Sequence, residues 1–145
     1  MACPPLLRPR LVQPEELIAY RFHGEDHCRL ALLSDPAPGQ EGPTLLMEIH
    51  DPGDRVPPHR HRHSAELFVL LRGQLLFHVE QQSLRAVGGD TVVVPQGSLH
   101  AYENPGPERA YLLTLVSSDD GFAASVRAGI PTPLDAEDLR VLRNL

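Results

Sequence analysis

Three histidines and one glutamate stand at spacings typical of a metal site. His59 and His61 are separated by one residue, Glu66 follows soon after, and His100 lies far along the chain. Side chains alternate faces along a strand, so the first two imidazoles point to the same side. Imidazole nitrogen and carboxylate oxygen together suit several first-row ions. These residues therefore predict a site for one divalent transition metal, with Fe, Mn, Ni and Zn all left open.

The position of Glu66 requires a break in the strand that carries the first histidines. Glu66 has the wrong parity to share an unbroken strand face with them, and a turn over residues 62–65 would restore it. Pairing His61 with His63 instead would leave two residues without the Gly or Asn that a short hairpin prefers. We therefore interpret His63 as a residue of the turn or of the site's surroundings, and we expect His100 to arrive from a distant hairpin.

The glycines and the proline around these residues also have fixed spacings. Together the two blocks, residues 53–73 and 89–104, resemble the paired signature of the cupin superfamily. The ten fixed positions of that signature are Gly53, His59, His61, Glu66, Gly73, Gly89, Pro95, Gly97, His100 and Asn104. The resemblance implies an all-β fold, a double-stranded β-helix or jelly-roll barrel with short C-terminal helices. It also implies a metal in the barrel mouth.

A weaker resemblance to small quercetin-dioxygenase-like cupins implies an oxidoreductase that uses the metal and dioxygen. The implied substrate is a small enolic or aromatic molecule. Glu66 would leave the metal to accept a substrate proton, and Tyr102, which shares a strand face with His100, would donate a hydrogen bond to substrate oxygen. These two residues are the candidate catalytic residues. The expected apolar wall of the pocket consists of Met47, Phe68, Leu70 and Phe77.

Two other classes of function stay open. One is a non-oxidative cupin enzyme, an isomerase or a lyase, and the other is a non-catalytic protein that binds a metal or a small ligand. Cysteine-dioxygenase-like cupins lack the binding carboxylate, so Glu66 argues against that group. Oxalate decarboxylases usually carry two barrels, whereas this chain has one copy of the motif. Germin-like oxalate oxidases are secreted, and the first residues here carry no apolar stretch of signal-peptide length.

Composition narrows the partners to a small-molecule substrate. The net charge of −6 argues against nucleic acid, which requires a basic face. All thirteen basic residues are arginines, so a Schiff base on lysine is excluded. Cys3 and Cys28 are too few for a disulfide framework. With no stretch long enough to cross a membrane, the default expectation is a cytoplasmic protein.

The chain divides into an N-terminal arm, residues 1–28, a barrel, residues 29–118, and a helical tail, residues 119–145. The arm is expected to contain one helical turn, residues 15–20. The predicted strands are residues 29–33, 44–50, 66–71, 75–79, 92–94 and 111–116. A helix capped by Asp119 or Asp120 should end at Gly129, before the break at residues 130–133. Asp135 and Asp138 should open a second helix that presents Leu139, Leu142 and Leu145.

The strand after Glu66 is apolar on both faces. If Glu66 points to the metal, then Leu67, Val69 and Leu71 point the other way. A strand that is apolar on both faces is usually covered on both. We therefore expect a homodimer, and the alternative is that the C-terminal segment covers this face within one chain.

Overall fold

The computed structural model of the protein describes residues 9–22 and 28–144. Its strands are β1 (Ala19–Arg21), β2 (Arg29–Ser34), β3 (Thr44–His50), β4 (Arg55–His59), β5 (Glu66–Arg72), β6 (Gln74–Val79), β7 (Gln82–Val87), β8 (Thr91–Val94), β9 (His100–Glu103), β10 (Ala110–Val116) and β11 (Ile130–Thr132). A 3-10 helix (Pro14–Glu16) precedes them, and two α-helices, α1 (Phe122–Arg127) and α2 (Ala136–Arg143), lie near the C-terminus.

The strands form two antiparallel sheets, as the predicted all-β jelly-roll barrel requires. The larger has the order β11-β1-β2-β3-β10-β5-β8, and the smaller has the order β4-β9-β6-β7. Some neighbours, such as β3 with β10 and β4 with β9, come from distant parts of the chain, and the connections pass between the two sheets. The fold class predicted from the sequence is therefore confirmed.

The core between the sheets is built by alternation along each strand. On β5, Phe68 and Leu70 face inward with Glu66, and they meet Leu75 and Phe77 from β6. The Phe68 and Phe77 rings lie 5.2 Å apart between centroids. These side chains form the apolar layer between the two sheets.

Part of the outer face of the larger sheet is covered by α2. Val141 and Leu142 pack on this side against Leu71 and Leu113. The C-terminal segment of the same chain therefore covers this part of the face, which is the alternative to a homodimer given above. Leu67, which is 37% exposed, and Val93, which is 59% exposed, lie beyond it.

The predicted strands are confirmed to within one residue at either end. The structure also contains β7, a strand that the sequence did not predict. Only Ala86 of β7 is buried, so the sequence of this strand lacks the alternating apolar residues that would predict it. His78 is exposed, as expected for a surface residue. The exposed prolines of β4 lie on an edge strand, where a missing N–H breaks no ladder.

The two termini differ from the prediction. The helical turn expected over residues 15–20 is wrong beyond Glu16, because the following residues pair as β1 with both β2 and β11. The break predicted at residues 130–133 contains β11, and α1 has Gly121 at its N-cap instead of an aspartate. Asp119 nevertheless accepts a hydrogen bond from the Ala123 N–H at 2.8 Å.

The second helix begins as predicted but presents a different face. Asp135 and Asp138 form a reciprocal capping box at the start of α2. Asp138 and Val141 are its buried side chains, whereas Leu139 is only half-buried. Cys3 and Leu145 lie outside the described residues, and the three-part division of the chain stays a prediction.

Candidate metal centre

Strand ends position the four predicted ligands. His59 is the last residue of β4 and pairs with His100, the first residue of β9. Glu66 is the first residue of β5, which belongs to the other sheet. His61 lies just beyond β4, so the expectation that one strand carries both early histidines is wrong. The chain turns at residues 62–63, inside the predicted turn, and so returns Glu66 to the site.

The four side chains converge. Their ligand atoms all lie within 4.8 Å of one another. His61 Nε2 is 2.5 Å from Glu66 Oε1, and His100 Nε2 is 3.4 Å from Glu66 Oε2. The ring centroids of His59 and His100 are 4.2 Å apart. Imidazoles this close to one carboxylate form a cluster that could hold a metal ion.

Backbone carbonyls orient two of the imidazoles. His59 Nδ1 lies 2.8 Å from the Pro57 oxygen, and His100 Nδ1 lies 2.9 Å from the Ser98 oxygen. Because a carbonyl oxygen only accepts, each Nδ1 carries the proton and each Nε2 keeps its lone pair. The Nε2 atom of His100 is buried without a hydrogen-bond partner in the described structure. A metal ion would satisfy this atom, so the residues fit the ion.

The electrostatics favour an ionised carboxylate at the centre. Burial opposes ionisation of Glu66, but the contacts with His100 and His61 outweigh it and lower its pKa to about 2. Burial lowers the pKa of His59. Burial also opposes protonation of His100, yet Glu66 raises its pKa above the usual value. The set therefore offers one anionic oxygen and three nitrogen donors, the chemistry of a first-row transition metal site.

A cavity of about 340 Å³ opens beside the cluster. Among the described residues its lining includes His59, His61 and Glu66. It also includes an apolar wall made by Phe22, Leu30, Val56, Pro57 and Phe122. The predicted wall is wrong, because Phe68, Leu70 and Phe77 lie in the core and Met47 packs on the α2 side of the sheet. The wall instead combines Leu30 of β2 and two residues of β4 with Phe22, which lies before β2, and Phe122, which lies after β10.

The Tyr102 hydroxyl forms its hydrogen bonds with a carboxylate of the protein. It donates to both oxygens of Glu48, at 2.9 and 3.1 Å, and the side chain is buried. Burial, followed by the Glu48 and Glu66 carboxylates, raises the pKa of Tyr102 well above its usual range. Its predicted hydrogen bond to a substrate oxygen stays a prediction, and in this structure the proton is directed to Glu48.

Sequence reasoning missed three polar residues beside the cavity. Cys28, Glu48 and His50 are all buried, and their ligand atoms lie within 4.8 Å of one another. A signal was present in the sequence: Glu48 and His50 are two residues apart in a predicted strand, so they share a face. The position of Cys28 beside them depends on how β2 pairs with β3, which spacing alone does not reveal.

None of the helices in the described ranges is long and apolar enough to cross a membrane.

Comparison with known proteins finds a family model that matches the middle of the chain. Residues 46–116 match the family model described as Cupin domain. Germin-like protein 3-3 of Oryza sativa subsp. japonica is 31% identical over an alignment of 105 residues that covers 62% of this chain and 46% of that protein. Polyketide synthase CurC of Streptomyces cyaneus is 25% identical over 107 residues, or 74% of this chain and 68% of that protein. The chain thus spans about half to two thirds of the length of these relatives.

The fold has a similar neighbour among solved structures. A predicted oxalate decarboxylase from Thermotoga maritima superposes with a TM-score of 0.64 and 21% sequence identity. The match covers 74% of this chain and 98% of the other. At this identity the likeness concerns the fold alone.

Proposed function

Because residues 46–116 match the cupin domain model, we propose that the protein is a metal-dependent, dioxygenase-type oxidoreductase acting on a small enolic or aromatic molecule. The observation that carries this proposal is the convergence of three imidazoles and one carboxylate beside a cavity with apolar walls. His59, His61, Glu66 and His100 would hold the metal. When bound, the metal supplies a Lewis acid and, if it is iron, manganese or nickel, a redox centre.

The cavity wall supports a substrate with an apolar body. Phe22 and Phe122 meet edge to face with ring centroids 6.3 Å apart, and the Phe122 centroid lies 5.7 Å from that of the His61 ring. A flat ring or enol placed there would bury apolar surface, at about 25 cal/mol for each Å² removed from water. The same wall excludes water, which strengthens interactions between the substrate and the charged ligands.

In this proposal Glu66 accepts a proton from the substrate. It is only 4% exposed, and each of its oxygens contacts a different histidine, His61 or His100. A substrate hydroxyl that reached Glu66 could give up its proton to one oxygen while the other kept its histidine contact. Holding the acceptor in place before reaction is the main contribution that a positioned base makes.

The charge of the cavity argues against oxalate as the substrate, although the Thermotoga neighbour is described as a predicted oxalate decarboxylase. Glu48 and Glu66 both line the cavity. Its arginine, Arg55, is 78% exposed and lies 3.2 Å from Glu103. Apart from the metal ion itself, an oxalate dianion would meet two buried carboxylates and no buried arginine among the lining residues. A neutral or singly charged enol meets a smaller electrostatic penalty.

The proposal is tested by metal content, oxygen uptake and one substitution. The protein is purified without added metal, its metals are quantified by mass spectrometry, and oxygen consumption is followed with a flavonol and with an aliphatic enediol. We expect iron, manganese or nickel and oxygen uptake with one of these compounds. Glu66→Gln should keep the metal and lose turnover by about 100-fold or more, whereas His78→Ala, on the outer surface, should keep both.

Two other results would contradict the oxygenase assignment. Zinc that survives dialysis and is lost in the His61→Ala variant, with no oxygen uptake, would favour an isomerase, a lyase or a structural site. Metal bound without conversion of any enol would favour a protein that only binds the metal or a small ligand.

A further inference from the structure

A second cluster of metal-ligating side chains lies beside the same cavity. It consists of Cys28, Glu48 and His50, and none of these residues belongs to the first cluster. Each is at most 7% exposed. Cys28 and Glu48 line the cavity together with Tyr102. The cluster therefore has an approach for a small ion even though its side chains are shielded from bulk water.

The pairing of β2 with β3 brings these residues together. Arg29 pairs with Ile49 and Leu30 pairs with Glu48. Cys28 therefore continues the ladder beside His50. Because alternate residues share a face, Glu48 and His50 point to the same side of β3. The arrangement is fixed by backbone hydrogen bonds, so the three side chains stay close without any bound group.

The distances fit a tetrahedral ion. Cys28 Sγ is 3.4 Å from His50 Nε2, and His50 Nε2 is 3.1 Å from Glu48 Oε2. Metal–ligand bonds of zinc, about 2.0–2.2 Å to nitrogen or oxygen and about 2.3 Å to sulfur, separate tetrahedral ligand atoms by roughly 3.3–3.6 Å. The sulfur–nitrogen distance already lies in this range, and the nitrogen–oxygen distance needs an increase of only a few tenths of an ångström.

The charge balance also favours a dication. Glu48 is 3% exposed, and within the described residues it contacts His50 and the Tyr102 hydroxyl, with no arginine beside it. A buried carboxylate without a cationic partner is costly. A divalent ion would offset the carboxylate and a Cys28 thiolate together. The Tyr102 hydroxyl would continue to hold the carboxylate in place, as hydrogen-bonded groups around metal ligands commonly do.

We propose that Cys28, Glu48 and His50 form a second metal site, selective for a thiophilic divalent ion such as Zn²⁺. Binding releases the thiol proton of Cys28 to solvent, so that the sulfur coordinates as a thiolate. Three protein ligands leave a fourth tetrahedral position for water or a cavity-bound molecule. The two clusters differ in chemistry, since the first contains no sulfur and the second contains one sulfur donor. This site does not depend on the proposed oxygenase activity.

Co²⁺ distinguishes the two clusters by its absorption spectrum. A thiolate ligand gives an intense charge-transfer band in the near ultraviolet, whereas the nitrogen and oxygen ligands of the first cluster do not. The reduced, metal-free protein is titrated with Co²⁺ under argon. We expect two bound ions per chain and a charge-transfer band that grows with one of them. The His61→Ala variant should lose the ion of the first cluster and keep the band.

Cysteine variants locate the sulfur. Cys28→Ser should abolish the band and keep the other bound ion, whereas the matched control Cys3→Ser should leave the band intact. Glu48→Gln keeps the sulfur and should weaken cobalt binding at this site by about 10-fold or more. Each variant is checked for a native circular dichroism spectrum.

Wild-type protein that binds cobalt without a charge-transfer band would overturn the proposal, and this measurement needs no variant. A band that survives in Cys28→Ser and disappears in Cys3→Ser would overturn it equally, since the sulfur would then belong to the other cysteine. X-ray absorption of the zinc-loaded protein provides an independent reading: no sulfur neighbour at the zinc would contradict the site.

Discussion

At the scale of the residue, the first cluster is defined by which nitrogen each imidazole offers. The Nδ1 atoms of His59 and His100 donate to backbone oxygens, so their Nε2 atoms are directed to the ion. His61 lies on the cavity side, with 22% of its side chain exposed, and contacts Glu66 directly. His63 is exposed in the adjoining turn. We therefore expect His61 to bind the ion and His63, two positions later, to remain in the turn without binding it.

Replacing His61 with alanine should weaken Mn²⁺ binding by at least about 10-fold, since even changes in groups that only support metal ligands cost 10- to 100-fold. Manganese is chosen because a hard ion disfavours the sulfur-containing cluster. The free Mn²⁺ signal in electron paramagnetic resonance measures the binding. His63→Ala is the matched control and should bind like the wild type. Equal losses in the two variants would contradict the assignment of His61 as a ligand.

Tyr102 provides a second prediction at this scale. Its hydroxyl donates to a buried carboxylate, so Tyr102→Phe leaves Glu48 with one donor fewer. Hydrogen bonds to charged groups contribute about 1.5–3 kcal/mol, and we expect a loss of that size in the free energy of unfolding in urea. Tyr20→Phe, at a half-buried tyrosine outside this cluster, should lose less.

The same variant tests the catalytic role predicted for Tyr102. If the hydroxyl serves the substrate, turnover should fall while the free energy of unfolding stays near the wild-type value. A loss of stability with turnover retained would instead mark Tyr102 as a residue that positions Glu48.

At the scale of the element, α2 is anchored by one carboxylate. Asp138 is fully buried and receives both terminal nitrogens of Arg29, the Tyr111 hydroxyl at 3.0 Å and Arg109 Nη1 at 3.0 Å. It also accepts the backbone N–H of Asp135 at 2.9 Å, which closes the capping box. One side chain thus joins the helix start to β2 and β10. The cover over the outer sheet face depends on it.

Replacing Asp138 with asparagine should lower the free energy of unfolding by about 3–5 kcal/mol, because the buried Arg29 loses its carboxylate partner. Glu137→Gln is the control. Glu137 is half exposed and lies 3.3 Å from Arg109, and an exposed pair of this kind contributes about 1 kcal/mol at most. Urea denaturation followed by circular dichroism measures both. Similar midpoints for the two variants would show that the helix is held mainly by its apolar contacts.

The glycines of the two motifs act on the turns between strands. Gly73 and Gly89 both have positive φ angles, +81° and +98°. A Cβ atom at Gly73 would lie 2.9 Å from the Arg109 oxygen and from the Ala110 Cα, whereas one at Gly89 would meet nothing within 4 Å. The first glycine is thus required by both conformation and space, and the second by conformation alone.

Alanine at either position should cost about 1–2 kcal/mol for the left-handed backbone. Gly73→Ala should cost about 1–3 kcal/mol more, because the neighbouring strand must move. The difference between the two midpoints in urea isolates the close approach of the β5–β6 turn to β10. Equal losses would mean that the backbone at residues 109–110 shifts without cost.

At the scale of the whole molecule, the outer face of β5 and β8 is an exposed apolar surface. Leu67 and Val93 are paired across the two strands and both are exposed, and β8 is an edge strand. α2 covers the region near Leu71 and Leu113 and leaves these two side chains in contact with water. The homodimer expected from the sequence stays a prediction, and this face is where we expect it to form.

Light scattering after size-exclusion chromatography tests the dimer. The wild type should have twice the mass of one 16.0 kDa chain. Val93→Arg places a charge in the expected contact and should give a monomer, because an unpaired buried charge is costly. Val87→Arg, at an exposed valine of the smaller sheet, should remain a dimer. A wild-type mass of one chain would refute the prediction.

The sequence by itself determined the strand pattern and the identity of the first cluster. Period-two alternation predicted which side chains of β5 face inward, and the motif spacing picked out His59, His61, Glu66 and His100, because both signals are local to a strand or a turn. The turn between His61 and Glu66 followed from parity in the same way.

Only the tertiary structure decided what stands beside that cluster. The direction of the Tyr102 hydroxyl, the Phe22 and Phe122 wall and the approach of Cys28 to His50 depend on pairings between segments far apart in the chain. A shift of one residue between β2 and β3 would send alternate side chains to the opposite face. That register is set by packing across the whole barrel, so local residue patterns could not have revealed it.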